Sequence, residues 1–385
     1  MQKKIGIIMV LLITTFIGFA IIIPVLPKIV TVFHMNMMLA LYSAVSFIMS
    51  PIWGKLSDRW GRRPIILIGI LGFSISFFIF ALSIESLWLM YISRILGGFF
   101  SGAVTSCAVA YVADITTNEN RTRAMGLVGM SIGLGFIFGP AIGGLLSTIS
   151  TQTPFFVSSG LAFITFIFVL LYLTESLSKE QRMNKTKEKV SRWSAFTGPM
   201  KYLYIMSFFV TFTLAGLEGT LIYYVDLKFD ATSEKIGIMF LISGIVGALI
   251  QGGVIRRYVK PGSESKFIQF GLLLSALGFI LLLFSKDLWT ASLYLSVFAA
   301  GNAFIRPCVI SLITQKTKVG QGVATGLNSS MDSLGRITGP LFASALFAIN
   351  ETLPFIIGAV ISVAAIQLVI TYKKVEMNTS TVLMK

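Results

Sequence analysis

Apolar residues run along this chain in unbroken stretches of about twenty, separated by short polar joints. The stretches do not alternate with period two, so the pattern predicts helices rather than strands. Some twenty apolar residues in a helix cross a hydrocarbon layer of roughly 30 Å, and a helix satisfies its own backbone hydrogen bonds there. Twelve such spans are expected. In the first half they fall near 5–26, 35–53, 65–84, 87–113, 124–149 and 154–174. In the second half they fall near 202–225, 236–255, 267–285, 288–314, 323–349 and 353–372. The joint before the second span is very short. One extended polar stretch, "ESLSKEQRMNKTKEKVSRWSAFTGP", divides six spans from six. The expected organisation is an N-terminal bundle over 1–174, a solvated linker over 175–201, and a C-terminal bundle over 202–385 with a short tail. The run after "MQKK" is too long for a signal's apolar core and lacks a small-residue cleavage site, so the first span is expected to stay.

Composition agrees. Of 385 residues, 55% are hydrophobic and only 12% charged, against roughly 25% charged in a soluble domain. Mean hydropathy is +0.85. The expected fold class is an all-α membrane protein with about twelve transmembrane helices in two pseudo-symmetric six-helix bundles.

The net charge of +15 has no soluble domain to occupy, which excludes a nucleic-acid partner. Most of the 31 basic residues lie in alternate joints, among them Lys55, Arg59, Arg62, Arg63, Arg121, Arg123, Arg256, Arg257 and the cluster over 179–201. By the positive-inside rule both termini and the linker are expected in the cytoplasm. Only Arg94, Arg306 and Arg336 fall inside spans, against Glu218 and Asp332.

The halves read as copies. "GLVGMSIGLGFIFGPAIGGLLS" from Gly126 aligns without gaps on "GLNSSMDSLGRITGPLFASALF" from Gly326. Gly126, Leu127, Gly135, Gly139 and Pro140 match Gly326, Leu327, Gly335, Gly339 and Pro340 at a constant offset of 200. Such repeats mark secondary transporters, whose substrate site lies between the halves.

"GKLSDRWGRRP", Gly54 to Pro64, holds five charges in eleven positions and is placed by the span boundaries in the joint between spans two and three. Gly54 allows close approach to a neighbouring helix, and Gly61 allows a turn. Asp58 can face a helix N-terminus or an arginine, while Arg59, Arg62 and Arg63 anchor the joint in water. In span four, "SRILGGFFSGAV" sets a membrane-depth arginine, Arg94, before glycines, and such a charge is costly unless paired or hydrated. In span five, "GLGFIFGPAIGG" repeats Gly135, Gly139 and Gly143 every four residues, a smooth face for a second helix. Pro140 removes a backbone donor beside that face, and Gly144 follows.

These three stretches resemble motifs of the major facilitator superfamily, and the third resembles the motif of its antiporters. The resemblance spans nearly the whole chain in topology and is nearest to bacterial multidrug and tetracycline pumps exchanging drug for protons. It implies a latch made by Gly54, Asp58, Gly61, Arg62, Arg63 and the acid Asp114, holding the halves together in one conformation. It implies an antiporter element at Gly135, Gly139, Pro140, Gly143 and Gly144. The second-half counterpart of the latch, "RRYVKPGSESK", keeps charge but loses the pattern. In span ten, "GNAFIRPC" has Asn302 and Ala303 where some drug pumps carry an acid before the arginine.

Proton coupling needs a titratable acid at membrane depth, and Glu218 and Asp332 qualify. Glu218 stands among Ala215, Gly216 and Gly219, with no basic residue at helical spacing. Burial makes the charged form of a carboxyl costly, which suits proton exchange. Asp332 is four residues before Arg336 on one helical face, a spacing that pairs them. The expected proton-coupling set is Glu218, Asp332 and Arg94; the expected substrate cavity is Glu218, Asn302, Arg306 and Asn328. His34 in an outer joint, and Cys107 and Cys308 within spans, point to neither metal site nor catalysis. No phosphate-binding loop of the G-x-x-x-x-G-K-[ST] type is present, so no cofactor is expected.

Three functions compete: a proton-coupled exporter of lipophilic drugs, a single-metabolite transporter on the same fold, and a non-transporting membrane protein or enzyme. The last needs an appended domain or a catalytic cluster, and the sequence offers neither. The expectation is a non-enzymatic monomer in a bacterial plasma membrane, handling lipophilic small molecules and protons.

Overall fold

The computed structural model describes residues 2–116, 118–177, 196–259, 262–317 and 321–383. Twelve long helices account for nearly all of them: α1 Gln2–Ile21, α2 Val32–Trp60, α3 Arg62–Leu82, α4 Leu87–Ile115, α5 Asn118–Leu146, α6 Thr153–Tyr172, α7 Met200–Phe229, α8 Ser233–Leu249, α9 Glu264–Leu283, α10 Leu288–Lys316, α11 Gln321–Ile349 and α12 Leu353–Leu383. A single 3-10 turn, Leu26–Lys28, fills the short joint before α2. α8 runs on through a π-helical turn, Ile250–Ile255. No strand occurs among the described residues.

Eleven of these helices are long and apolar enough to cross a membrane. α11 is the exception. It has the full span length, 29 residues, but spends it on Asn328, Ser329, Ser330, Asp332, Ser333, Arg336 and Thr338. A helix so polar belongs inside a bundle, against partners that satisfy it.

By its contacts the chain forms two compact units, residues 1–188 with 232–241, and 189–231 with 242–385. Four helix pairings recur in the two units. In the first, α1 packs on α5 and α6, and α3 on α4 and α6. In the second, α7 packs on α11 and α12, and α9 on α10 and α12. Leu203, Ile268, Leu312, Leu327 and Val369 share the core of the second unit. Large apolar side chains also cover the outside, such as Ile164, Leu171, Leu273 and Leu293. A surface of that kind suits lipid rather than water.

The glycine stripe of α5 sets the closeness of its neighbour. A Cβ at Gly135 would stand 2.5 Å from Phe16 Cβ, and one at Gly139 2.7 Å from Ala20 Cβ. One at Gly143 would run into the Ile21 carbonyl. The stripe is therefore the seat of α1. Gly335 and Gly339 of α11 do the same for α7, meeting Phe208 and Phe212. Gly144 faces elsewhere, onto Ser233 and Gly237 of the first turns of α8, which cluster with the first unit. Pro140 lies inside α5 and Pro340 inside α11.

The stretch expected as a joint between spans two and three is helical. α2 continues to Trp60, and α3 starts at Arg62. Only Gly61 interrupts them, at φ 106° and ψ 156°, a conformation that needs glycine. The helix survives this far into polar sequence because its side chains close on themselves. Ser57 Oγ donates to Gly54 O at 2.7 Å, and Gly61 N donates to Ser57 O at 3.0 Å.

Candidate functional site

Two groups of charged and polar side chains stand out, one in each unit. The first-unit group lies where α2, α3, α4 and the chain after α6 come together. Arg62, only 4% exposed, is its centre. Its Nη2 donates to Asp58 Oδ1 at 2.6 Å, its Nε to Asp114 Oδ2 at 3.0 Å, and its Nη1 to Ser57 Oγ. Arg63 Nη2 caps the Leu170 carbonyl at 2.7 Å. Arg62 therefore does not anchor a joint in water; it is buried between two acids that neutralise it. Gly54 is no close-approach position either, since a Cβ there would meet nothing within 4 Å. Its carbonyl contributes instead, accepting from Ser57 and Arg62. All the partners of Arg62 belong to the first unit.

Arg94 on α4 is fully buried, and its guanidinium carbon lies 4.2 Å from the Phe80 ring centre and 4.7 Å from that of Phe77. Ser93 Oγ lies at 3.5 Å, and Nε and Nη1 have no hydrogen-bond partner among the described residues. Among the described residues neither an ion pair nor a carbonyl anchor holds it. Aromatic faces supply what stabilisation it has, about 0.5–2 kcal/mol for each such contact. Arg94 belongs to the first unit, and Glu218 and Asp332 to the second.

The second-unit group is built on α7, α10 and α11. Asp332 does not pair with Arg336 along its own helix. Arg306 Nη2 of α10 donates to Asp332 Oδ2 at 3.2 Å, and Thr211 Oγ1 of α7 donates to Asp332 Oδ1 at 2.9 Å. Arg336 turns instead to Glu218 of α7, 3.9 Å away. Glu218 therefore has a basic partner, which its helix neighbours did not reveal. One turn along, Ser207 Oγ donates to Asn328 Oδ1 at 2.6 Å. Two acids and two arginines thus pair across three helices.

A cleft of about 220 Å³ opens beside this group, lined by Ser207, Thr211, Arg306, Asn328 and Asp332 with Val210, Ile305, Val309 and Ile310. Two expected cavity residues, Arg306 and Asn328, line it. Glu218 and Asn302 are not on its wall, and Asn302, one turn earlier on α10, is half-buried. Sequence reading missed Thr211 and Ser207, which carry no motif. Their only signal is a position one and two helical turns before Ala215. Among the described residues no three His, Cys, Asp or Glu side chains converge as a metal site. His34, in the first turn of α2, hydrogen-bonds Tyr91 Oη at 2.9 Å.

Comparison with known proteins agrees with this architecture. The model of the major facilitator superfamily matches residues 8–267 and 262–381. The chain belongs to that superfamily of transporters. Its relatives are narrower in description. Multidrug resistance protein 1 of Bacillus subtilis (strain 168) is 32% identical over 383 residues, 97% of this chain and 98% of that one. Quinolone resistance protein NorA of Staphylococcus aureus (strain COL) is 30% identical over 383 residues, 97% of each chain. The crystal structure of the human organic anion transporter MFSD10 (TETRAN) shares the fold at a TM-score of 0.75 and 23% identity, over 96% of this chain and 99% of that one.

Proposed function

We propose that this protein exports amphipathic, lipophilic drugs in exchange for protons, by alternating access. The observation that carries the reading is full-length similarity to multidrug and quinolone resistance proteins at 30–32% identity. The second-unit group supports it. Glu218 and Asp332 are membrane-depth carboxylates, each facing an arginine across helices rather than locked to one on its own. A pair of that kind can exchange a counter-ion for a proton, because neutralising the acid frees the arginine and the reverse. Phe208, Phe212 and Phe342 lie near on α7 and α11, and such rings accept flat apolar molecules without demanding one shape. Glu218, with Asp332 beside it, is the proton carrier in this reading, while Arg306 and Asn328 meet the substrate.

The accompanying arrangement is a monomer in a bacterial plasma membrane, both termini and the 175–201 linker in the cytoplasm, and no cofactor. The test is dye efflux from energised inverted vesicles. Accumulation that collapses on adding a protonophore supports proton-coupled export. Accumulation indifferent to the protonophore, or absent for every amphipathic dye, overturns it.

A further inference from the structure

The acid that closes the first-unit group belongs to none of the recognised stretches. Glu175 follows α6, at the start of the polar linker. Its Oε1 accepts from Arg62 N at 2.9 Å and its Oε2 from Arg63 N at 3.1 Å, the first two amides of α3. Oε1 also accepts from Ser176 N and Leu177 N, at 2.9 and 3.2 Å. The residues on either side are fastened to the same place. Tyr111 Oη donates to Thr174 O at 2.7 Å, and Ser176 Oγ to Asp114 Oδ2 at 3.2 Å.

The first turn of a helix has amides without intrahelical partners and a partial positive charge. A carboxylate there satisfies both. α3 has no side-chain cap of its own, because Gly61 stands at that position. Glu175 supplies the cap from the far end of the bundle.

The internal repeat provides a comparison within the molecule. At the offset of 200, α3 and α6 correspond to α9 and α12. There Asp58, Arg62, Asp114 and Glu175 become Tyr258, Gly262, Thr314 and Val375. The second unit holds the start of α9 locally, with Glu264 Oε2 accepting from Gly262 N at 2.6 Å just before the helix, and α12 runs on unbroken to Leu383. The four charged members of the cluster are thus present only in the half whose last helix feeds the linker.

We propose that Glu175 is a positioning residue of the transport cycle. Its carboxylate fixes the start of α3, and so holds Arg62 between Asp58 and Asp114, while tying the linker's first residues to the same cluster. A shift of residues 175–177 is then felt at Arg62. This rests on the transporter reading above, so the test has one arm that needs transport and one that does not.

In a Cys107→Ser, Cys308→Ser background, the exposed Lys55→Cys reports maleimide labelling beside the cluster, and dye efflux is measured per folded molecule. Glu175→Gln leaves an amide facing backbone N–H groups. It should cut efflux about tenfold, the loss expected from one or two charge-assisted hydrogen bonds. Labelling of Lys55→Cys should accelerate, with thermal stability falling less than for a core substitution. Glu175→Asp, which keeps the charge but reaches one amide, should fall between. Ser176→Ala tests the same tie from the neighbouring residue should Glu175→Gln fail to fold, and should also speed labelling. Unchanged labelling in folded Glu175→Gln, or efflux lost only in proportion to folded protein, overturns the proposal. Faster labelling in a protein that moves no dye keeps the role of Glu175 and refutes drug export.

Discussion

Asp332 is bound to Arg306 of another helix and not to Arg336, one turn along its own. Both membrane-depth acids of the second unit therefore join helices: Asp332 ties α11 to α10 and α7, and Glu218 ties α7 to α11. Pairs across helices report the packing of the bundle, and a change in packing reaches both at once.

The two pairs should respond differently to truncation. Arg306 is 38% exposed on its side chain and Arg336 16%. Arg306→Gln removes a partly solvated partner and should cost about 1 kcal/mol of stability. Arg336→Gln strands Glu218 and should cost about 3 kcal/mol or more, unless Glu218→Gln is made with it. Thermal unfolding of the single and double variants in detergent measures both the costs and their non-additivity. Equal costs for the two arginines would contradict the exposure argument.

Glu218→Gln mimics the protonated acid. It should still bind neutral amphipathic ligands but lose uphill, pH-driven efflux. Asp332→Asn keeps Thr211 as a partner and should chiefly lower stability or yield. Ligand-induced fluorescence and vesicle efflux on both variants decide between them. Normal pumping by Glu218→Gln, with loss in well-folded Asp332→Asn, would exchange the roles.

The glycines divide by what surrounds them. Gly139→Leu drives a side chain into Ala20 and Ile17 of α1 and should cost about 1–3 kcal/mol or prevent insertion. Gly54→Ala meets nothing within 4 Å inside α2, and should stabilise by about 0.5–1 kcal/mol through helix propensity. Melting temperatures of the two variants compare them directly. Efflux by Gly54→Ala then asks whether the glycine serves anything beyond folding.

Asp287 caps α10 from outside the span, accepting from Thr290 N at 2.7 Å in a capping box. The backbone amide of Thr290, with its hydroxyl, holds the carboxyl below the usual carboxylate range. A group whose folded value is depressed stabilises above its unfolded value and loses that contribution as pH falls through the folded one. Asp287→Ala should therefore lower the melting temperature at pH 7, and the deficit should close as the buffer is taken well into acid. A deficit independent of pH would mean that packing, not the charge, is the source.

The helices, their number and the repeat of one half in the other were legible in the sequence, because lipid-depth apolar runs leave no other structure and an offset of 200 needs only an alignment. Gly135, Gly139 and Gly143 announced a close neighbour through spacing alone. The identity of that neighbour, α1, was not written there. Spacing also misled. Asp332 and Arg336 satisfy the rule for one helical face, and Glu218 has no cation at helical spacing, yet the packing of α7, α10 and α11 gives each acid a partner from another helix. Glu175 lies 112 and 113 residues from the amides that it caps and belongs to no motif. A sequence determines what each residue can bond and which local structure it favours. Which charge meets which is decided by tertiary packing, because at membrane depth each polar group must find a partner wherever the bundle places one.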